Sequence, residues 1–372
     1  MKVLHIITSL GSGGAEGMLY RLIKASNESV EHSVICLNKG GKYVSLLRKE
    51  GIDVLILNFN FISSLKAIIL MIKFSRRKYK HGYQIITSWL LHADLVSWFV
   101  KLICGFNGLI WNIRNTKLQH GRPSFKNFIL LKILSILSRF GVNRIISNSK
   151  TALEVHKKLG YKNENFTVIP NGFFIDKTKK LIKQHKHFND IYRICIIARW
   201  HHMKDFTNLF QALSILRSSN IDFSLTIAGS QTGTKNKELV NLINKYKIGK
   251  YCYLLGEVDE VSDIFEKSHV TVLSSAYGEA FPNVLAESML NFTPCIATDV
   301  GDAAKILDGV GLIVPIRDPK ALSDALKKNL DVLRNQQVMY FNNCIKCFEK
   351  VCRNYDIQDI ASSYKKLWKS LL

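Results

Sequence analysis

The residues best suited to chemistry lie between Ser274 and Asp302, in the string SSAYGEAFPNVLAESMLNFTPCIATDVGD. Two carboxylates stand eight positions apart there, Glu279 and Glu287, with Gly278 before the first and Phe281-Pro282-Asn283 between them. Pro282 suits the opening of a helix, because its ring fixes φ near the helical value and its missing N–H is one the first turn does not use. A helix N-terminus beside a glycine presents N–H groups and the positive end of the helix dipole, which suits a phosphate. Carboxylates flanking that spot can accept hydrogen bonds from sugar hydroxyls. Upstream, Arg199 and Lys204 follow an apolar run. Two fixed cations on such a loop can hold a diphosphate, the guanidinium bidentately.

Alternating strands and helices must position these groups. Val270–Leu273, then a loop, a helix over Asn283–Leu290, and an apolar run over Pro294–Ala297 spell strand, loop, helix, strand, the pattern of an open parallel sheet. Further strands are expected at Val3–Ile7, Ser33–Leu37, Val54–Leu57, Gln84–Ser88, Leu109–Ile113, Arg144–Ser147, Ile191–Ile197, Ser224–Ala228 and Tyr251–Leu255. The first runs into a glycine loop, Gly11-Ser12-Gly13-Gly14-Ala15-Glu16, with a helical pattern from Met18. Glycine lets main-chain N–H groups approach an anion with no Cβ in the way. His92 and Asp94 follow Gln84–Ser88, at the strand end where α/β sheets bind ligands. No internal repeat accompanies the alternation, and Phe173–Asn189 reads as a polar, unpatterned linker.

GEAFPNVLAE (Gly278–Glu287) closely resembles the Glu-x7-Glu signature of retaining nucleotide-sugar glycosyltransferases of the GT-B architecture. This is the large family 4, group 1 type, with many bacterial polysaccharide and lipopolysaccharide enzymes. TDVGDAA (Thr298–Ala304) and the Val168-Ile169-Pro170-Asn171-Gly172 string are similar to it too, so the resemblance spans nearly the whole chain. It implies an α/β fold of two Rossmann-like parallel-sheet domains facing across a cleft. The expected division is 1–175 for the acceptor, 190–355 for the nucleotide sugar, and a final helix, 356–372, packing back on the first domain.

The same resemblance implies the site. Arg199 and Lys204 would clamp the donor diphosphate, together with Gly13, Gly14 and the main chain of Phe281, Pro282 and Asn283. Glu279 would orient the donor sugar, Glu287 would bind the ribose, and the main chain at Gly256 would frame the base. His92 would stand beside the transferred sugar, with Arg114 a further candidate. Ala198 departs from the family pattern, in which a glycine usually precedes the arginine. The expected reaction is retaining transfer from a nucleotide-diphosphate sugar, a UDP-sugar, to a glycan or lipid-linked glycan. No cofactor or metal is expected: Asp299 and Asp302 lack Asp-x-Asp spacing, and His201-His202 has no carboxylate suitably placed.

The net charge of +23 is unevenly spread. Residues 1–190 hold 30 Lys+Arg against 10 Asp+Glu, and residues 191–372 hold 22 against 19. A half so basic suits a polyanion or an anionic membrane surface. No zinc-finger, glycine-aromatic or basic-zipper pattern supports nucleic acid. Phe59–Lys80 and Phe125–Arg139 set basic residues beside wide apolar faces, as interfacial helices do. No window reaches the 18 or so apolar residues of a spanning helix, and the N-terminus lacks a signal-peptide pattern. The expected location is cytoplasmic, peripheral on the inner membrane face. The eight cysteines read as free thiols; Cys344-x2-Cys347 with Cys352 fits one helix face better than zinc. Readings from other classes are a basic membrane- or nucleic-acid-binding protein on this fold without transferase activity, or a related GT-B phosphorylase or epimerase.

Overall fold

The computed structural model describes residues 1–58, 64–114, 125–182, 186–188 and 190–372. The chain folds as two units, Met1–Phe174 with Tyr355–Leu372, and Ile175–Asn354. In the first, the strands are β1 (Lys2–Ile7), β2 (Glu31–Cys36), β3 (Asp53–Ile56), β4 (Ile85–Trp89), β5 (Gly108–Ile113), β6 (Arg144–Ser147) and β7 (Phe166–Val168). They form one parallel sheet in the order β3-β2-β1-β4-β5-β6-β7. The order reverses between β1 and β4, which pair Ile7 with Trp89 at their carboxyl ends. In open α/β sheets that reversal opens a crevice where ligands bind.

The second unit repeats the device. Its strands are β8 (Tyr192–Ile197), β9 (Phe223–Ala228), β10 (Cys252–Gly256), β11 (Val270–Leu273), β12 (Cys295–Thr298) and β13 (Leu312–Val314), in the order β10-β9-β8-β11-β12-β13. Here the reversal falls between β8 and β11, so the loops that follow those two strands are neighbours although 70 residues separate Lys204 from Ser274. Fully covered parallel strands read as near-continuous apolar runs, which is why β11 is buried at every position.

The last helix, Ile357–Lys369, belongs to the first unit. Asp356 caps it by accepting from the Gln358 N–H, and its buried stripe is Ile357, Ile360, Ala361, Tyr364 and Trp368. Trp368 Nε1 donates to Thr87 Oγ1 at 3.0 Å and Tyr364 OH to Asn112 Oδ1 at 2.7 Å, which anchors the helix on β4 and β5. Phe173 exchanges main-chain bonds with Tyr355 and Ile357, so the chain leaves and re-enters this unit side by side.

Three expectations are corrected. The glycine loop is shorter than it reads, because Gly14, Ala15 and Glu16 already form the first turn of the helix Gly14–Ser26. Pro282 does not itself take the helical conformation: with ψ 96 it is extended, ahead of the helix that begins at Asn283 as read from the sequence. Phe173–Asn189 is not simply a solvated linker. Phe173 is buried, and Lys186 is 1% exposed, its ammonium donating to Phe265 O (2.8 Å), Ser268 O (2.6 Å) and Thr293 Oγ1 (2.5 Å). Carbonyls at and just beyond the end of the helix Ser262–Lys267 lie at the negative end of its dipole and attract a cation. Burial pushes that ammonium down to about 8.

The cysteines are free, and Cys344 and Cys347 lie with Tyr340 and Val351 on the buried face of the helix Gln337–Asn354. Among the described residues, no helix is long and apolar enough to cross a membrane. Of the two basic-apolar segments, helices Ser64–Lys80 and Phe125–Leu137 are described, and 59–63 lies outside the described residues.

Candidate active site

The chemistry gathers at the β8/β11 reversal of the second unit. After β8 the chain passes through exposed Arg199 to a short turn, His202–Lys204, and then to Asp205, whose φ of 45 is left-handed and whose carboxylate caps the helix Phe206–Ser218. After β11 it passes through Ser274 and Ser275 to Gly278 and Glu279. The two loops are tied together: Ser274 Oγ donates to Lys204 O at 2.7 Å and the Ala276 N–H to Met203 O at 2.8 Å.

Across this seam Lys204 Nζ lies 2.5 Å from Glu279 Oε1, which also accepts from Ser275 Oγ at 2.8 Å. Both side chains of the ion pair are mostly buried, at 18% and 14% exposure. Burial works against the carboxylate of Glu279, but Lys204, then Ser275 and the Arg199 charge outweigh it and hold the group below its ordinary value. Glu279 is therefore ionised at neutral pH, and Arg199 and Lys204 share one anionic neighbour.

Glycines allow the packing around it. Gly278 has φ +82, and a Cβ there would meet Met203 Cε at 2.0 Å. Gly301, with φ +57, backs directly onto the Glu279 loop; a Cβ would strike Glu279 O at 2.5 Å and Ala280 O at 2.6 Å. The Asp302 N–H donates to Ala280 O, and Thr298 Oγ1 to Ser275 O at 2.6 Å. The Thr298–Asp302 string is thus the backing that holds Glu279 in place. From sequence only its resemblance was visible.

The helix Asn283–Met289 spans seven residues. Phe281 and Pro282 are buried ahead of it, Asn283 opens it, and Glu287 lies half-buried one turn later. Gly256 closes β10 with φ +68, and its carbonyl accepts the Gly229 N–H at 2.7 Å beside the loop that follows β9.

In the first unit, Gly13 precedes the helix and Gly14 starts it at the end of β1. Their first turn already carries a carboxylate, Glu16, held by Ser9 Oγ at 2.8 Å; a Cβ on Gly13 would lie 2.4 Å from Glu16 Oε2. His92 is exposed in the first turn of the helix Leu91–Cys104, after β4, and so stands at the same sheet reversal as the glycine loop. Leu90 before it has φ +76, a costly conformation for a bulky residue, and strain of that kind concentrates at working sites. Nothing in the local sequence announces it. Arg114 is engaged elsewhere: its guanidinium binds Asn171 Oδ1, Asn112 Oδ1 (3.3 Å) and Tyr364 OH (2.5 Å) and lies over the Trp89 ring, holding the final helix. Asn115 and Thr116, which follow it, lie outside the described residues. His201 Nδ1 accepts the Met203 N–H, and among the described residues no three His, Cys, Asp or Glu groups are placed to hold a metal ion.

Residues 12–177 match the family model described as Glycosyltransferase Family 4, and residues 177–340 the one described as Glycosyl transferases group 1. The chain belongs to the group 1 glycosyltransferases and has the GT-B fold. This glycosyltransferase is 26% identical over 389 aligned positions to a Campylobacter jejuni alpha-1,4-N-acetyl-D-galactosaminyltransferase, covering 99% of this chain and 98% of the relative. It is 23% identical over 322 residues to the capsular polysaccharide biosynthesis glycosyltransferase CapH of Staphylococcus aureus, covering 82% and 83%. Among solved structures, Anabaena HepE in complex with UDP-glucose superposes with TM-score 0.83 at 17% identity over 100% of both chains, a likeness of fold.

Proposed function

We propose that this glycosyltransferase moves a sugar from a UDP-sugar to a glycan or lipid-linked glycan in the synthesis of a bacterial surface polysaccharide. The transfer retains anomeric configuration, needs no metal, and takes place at the cytoplasmic face of the membrane. The observation that carries the reading is the cluster of Arg199, Lys204 and Glu279 at the β8/β11 reversal, two cations and an ionised carboxylate fixed on strand-end loops. The relatives agree in kind: CapH is named for capsule synthesis, the Campylobacter enzyme for an undecaprenol-diphosphate-linked glycan, and HepE was solved with UDP-glucose.

Cleavage of the anomeric C–O bond leaves negative charge on the UDP β-phosphate, and preorganised cations are the largest help a protein offers there. Arg199 and Lys204 supply them, which is the reason for expecting no metal. Glu279, ionised and rigidly backed, accepts hydrogen bonds from hydroxyls of the donor sugar. Glu287 does so for the ribose, with the main chain at Phe281–Asn283 and Gly256 lining the nucleotide. The acceptor falls to the first unit, at the ends of β1 and β4 where Gly13, Gly14 and His92 stand.

A panel of nucleotide sugars, read by thermal shift and then by transfer in EDTA, tests the proposal. UDP-sugars should raise the melting point and support transfer in chelator. Stabilisation by another nucleotide class alone would overturn the donor assignment. Activity lost in EDTA and restored by magnesium or manganese would overturn the leaving-group chemistry.

A further inference from the structure

We propose that one face of the first unit, built by the helices Ser64–Lys80, Leu91–Cys104 and Phe125–Leu137, docks on an anionic lipid bilayer by inserting apolar side chains between headgroups. The inference rests on the proposed membrane-linked acceptor for its purpose, and on the surface itself for its substance. The three helices are neighbours. Trp98 Nε1 donates to Phe140 O at 2.7 Å, Lys101 Nζ to Gly141 O at 2.6 Å, and Cys104 Sγ approaches Ile72 O at 4.0 Å.

Their inner sides pack in the core, through Met71 and Phe74, Ala93 and Val100, Leu131 and Leu134. Their outer sides would be polar on an ordinary surface helix. Here they expose Ile69, Phe99, Leu102, Ile103, Ile136 and, just beyond the last helix, Phe140, at 46%, 49%, 59%, 46%, 59% and 62%. More than half of the large apolar side chains left exposed among the described residues belong to these three helices and Phe140. An apolar patch of this kind marks a contact surface.

Charge says what covers it. Between residues 54 and 153 the chain has 15 Lys+Arg and a single carboxylate, Asp94. Asp94 is buried, accepts from Ser88 Oγ at 2.6 Å, and shows nothing to the surface. The cations are outside: Lys66, Lys73, Arg76, Lys126, Lys132 and Arg139 are all exposed. A second copy of the same face would bring cations against cations. Nucleic acid would use the charge and leave the aliphatic side chains in water. A bilayer bearing anionic headgroups satisfies both, since basic residues sit among phosphates while leucine, isoleucine and phenylalanine enter the acyl boundary. The helix Leu91–Cys104 is the part the sequence did not single out; packed between the other two, it joins their separate apolar stretches into one face.

The test is sedimentation of the whole chain with phosphatidylcholine vesicles containing 0 or about 30% phosphatidylglycerol, a content at which each basic residue near the surface adds about fivefold to partitioning. Binding should need the anionic lipid and weaken with salt. Trp98, with its ring 5.3 Å from that of Phe99, serves as the depth probe. Bromine-labelled lipid should quench its emission, and Trp98→Phe should abolish that quenching. The triple variant Leu102→Gln, Ile103→Gln, Ile136→Gln changes exposed side chains alone and should lose tenfold or more in partitioning. Its thermal stabilisation by UDP should be unchanged, so docking and transferase readings fail separately.

Parent-like partitioning in the triple variant, or no quenching on bound vesicles, would overturn the docking face. So would indifference to anionic lipid, or equal binding to duplex DNA that the triple variant leaves intact.

Discussion

His5 and His32 sit on β1 and β2 with 0% and 3% exposure, and the Trp89 indole N–H sets the tautomers that fit them. Trp89 Nε1 donates to His5 Nδ1 at 3.2 Å, so His5 must carry its proton on Nε2, which faces His32 Nδ1 at 3.0 Å. His32 then carries its proton on Nε2, facing Ser26 Oγ at 2.9 Å, and the Ser26 hydroxyl donates to Leu22 O at 2.6 Å. Every donor has an acceptor only while both rings are neutral; one more proton has nowhere to go. Burial pushes the His32 imidazole from 6.5 down to about 3, the Met1 ammonium adding to it. Burial and then His32 push His5 well below its ordinary value.

Between pH 6.5 and about 3 the unfolded chain binds protons at these sites and the folded chain does not, so stability falls as pH falls through that window. At pH 5, His32 alone costs about 2 kcal/mol relative to pH 7.5 or above, which for a unit of this size lowers the melting point by about 4–8 °C. Buried Asp94, pushed well up by burial, works in the opposite direction, so the parent's slope is a difference of terms. The variant His32→Gln keeps a donor for Ser26 and removes the titration. Urea midpoints followed by fluorescence of Trp89 and Trp368, whose rings flank His5, should fall less steeply with pH in the variant than in the parent. Parallel pH profiles in the two proteins would mean that His32 is not a group whose protonation opposes folding.

Other outcomes bear on the site. Arg199→Ala and Lys204→Ala should each weaken donor binding or turnover about tenfold to a hundredfold, the cost of one charge-assisted contact of about 1.5–3 kcal/mol; kinetics like the parent's in both would remove the clamp. Glu287→Gln should act mainly on nucleotide affinity, and Glu279→Gln on turnover, because sugar positioning matters most as the bond breaks; steady-state kinetics in the reverse order would exchange their roles. Gly301→Ala, which forces a Cβ against two carbonyls at a left-handed φ, should destabilise the second unit by at least about 1–2 kcal/mol and depress donor affinity with it. Calorimetry together with UDP titration checks both, and an unaffected variant would mean that the Glu279 loop does not depend on its backing.

Much of the fold was legible because parallel strands buried on both faces leave local marks. Runs such as Val3–Ile7 and Val270–Leu273 fall within a residue or two of β1 and β11, and the glycines and polar residues between runs mark the turns. The candidate site showed in the sequence as residue types within a family-like string, Arg199 with Lys204 and Glu279 with Glu287. What the linear order does not carry is which strands become neighbours. Only the crossover that sets β11 beside β8 brings Lys204 onto Glu279, and only the packing of Thr298–Asp302 beneath that loop explains why Gly301 is glycine. The same holds for Lys186, polar in a polar stretch yet buried against helix-end carbonyls, and for Leu90, whose strain is set by the β4 end and its main-chain contact with Asn112. Strands and helices are chosen by neighbours in sequence, and a short apolar run suffices to name them. Ion pairs, buried protons and strained turns are chosen by neighbours in space, where burial raises the cost of an unmet charge or donor and the tertiary fold decides which partner meets it.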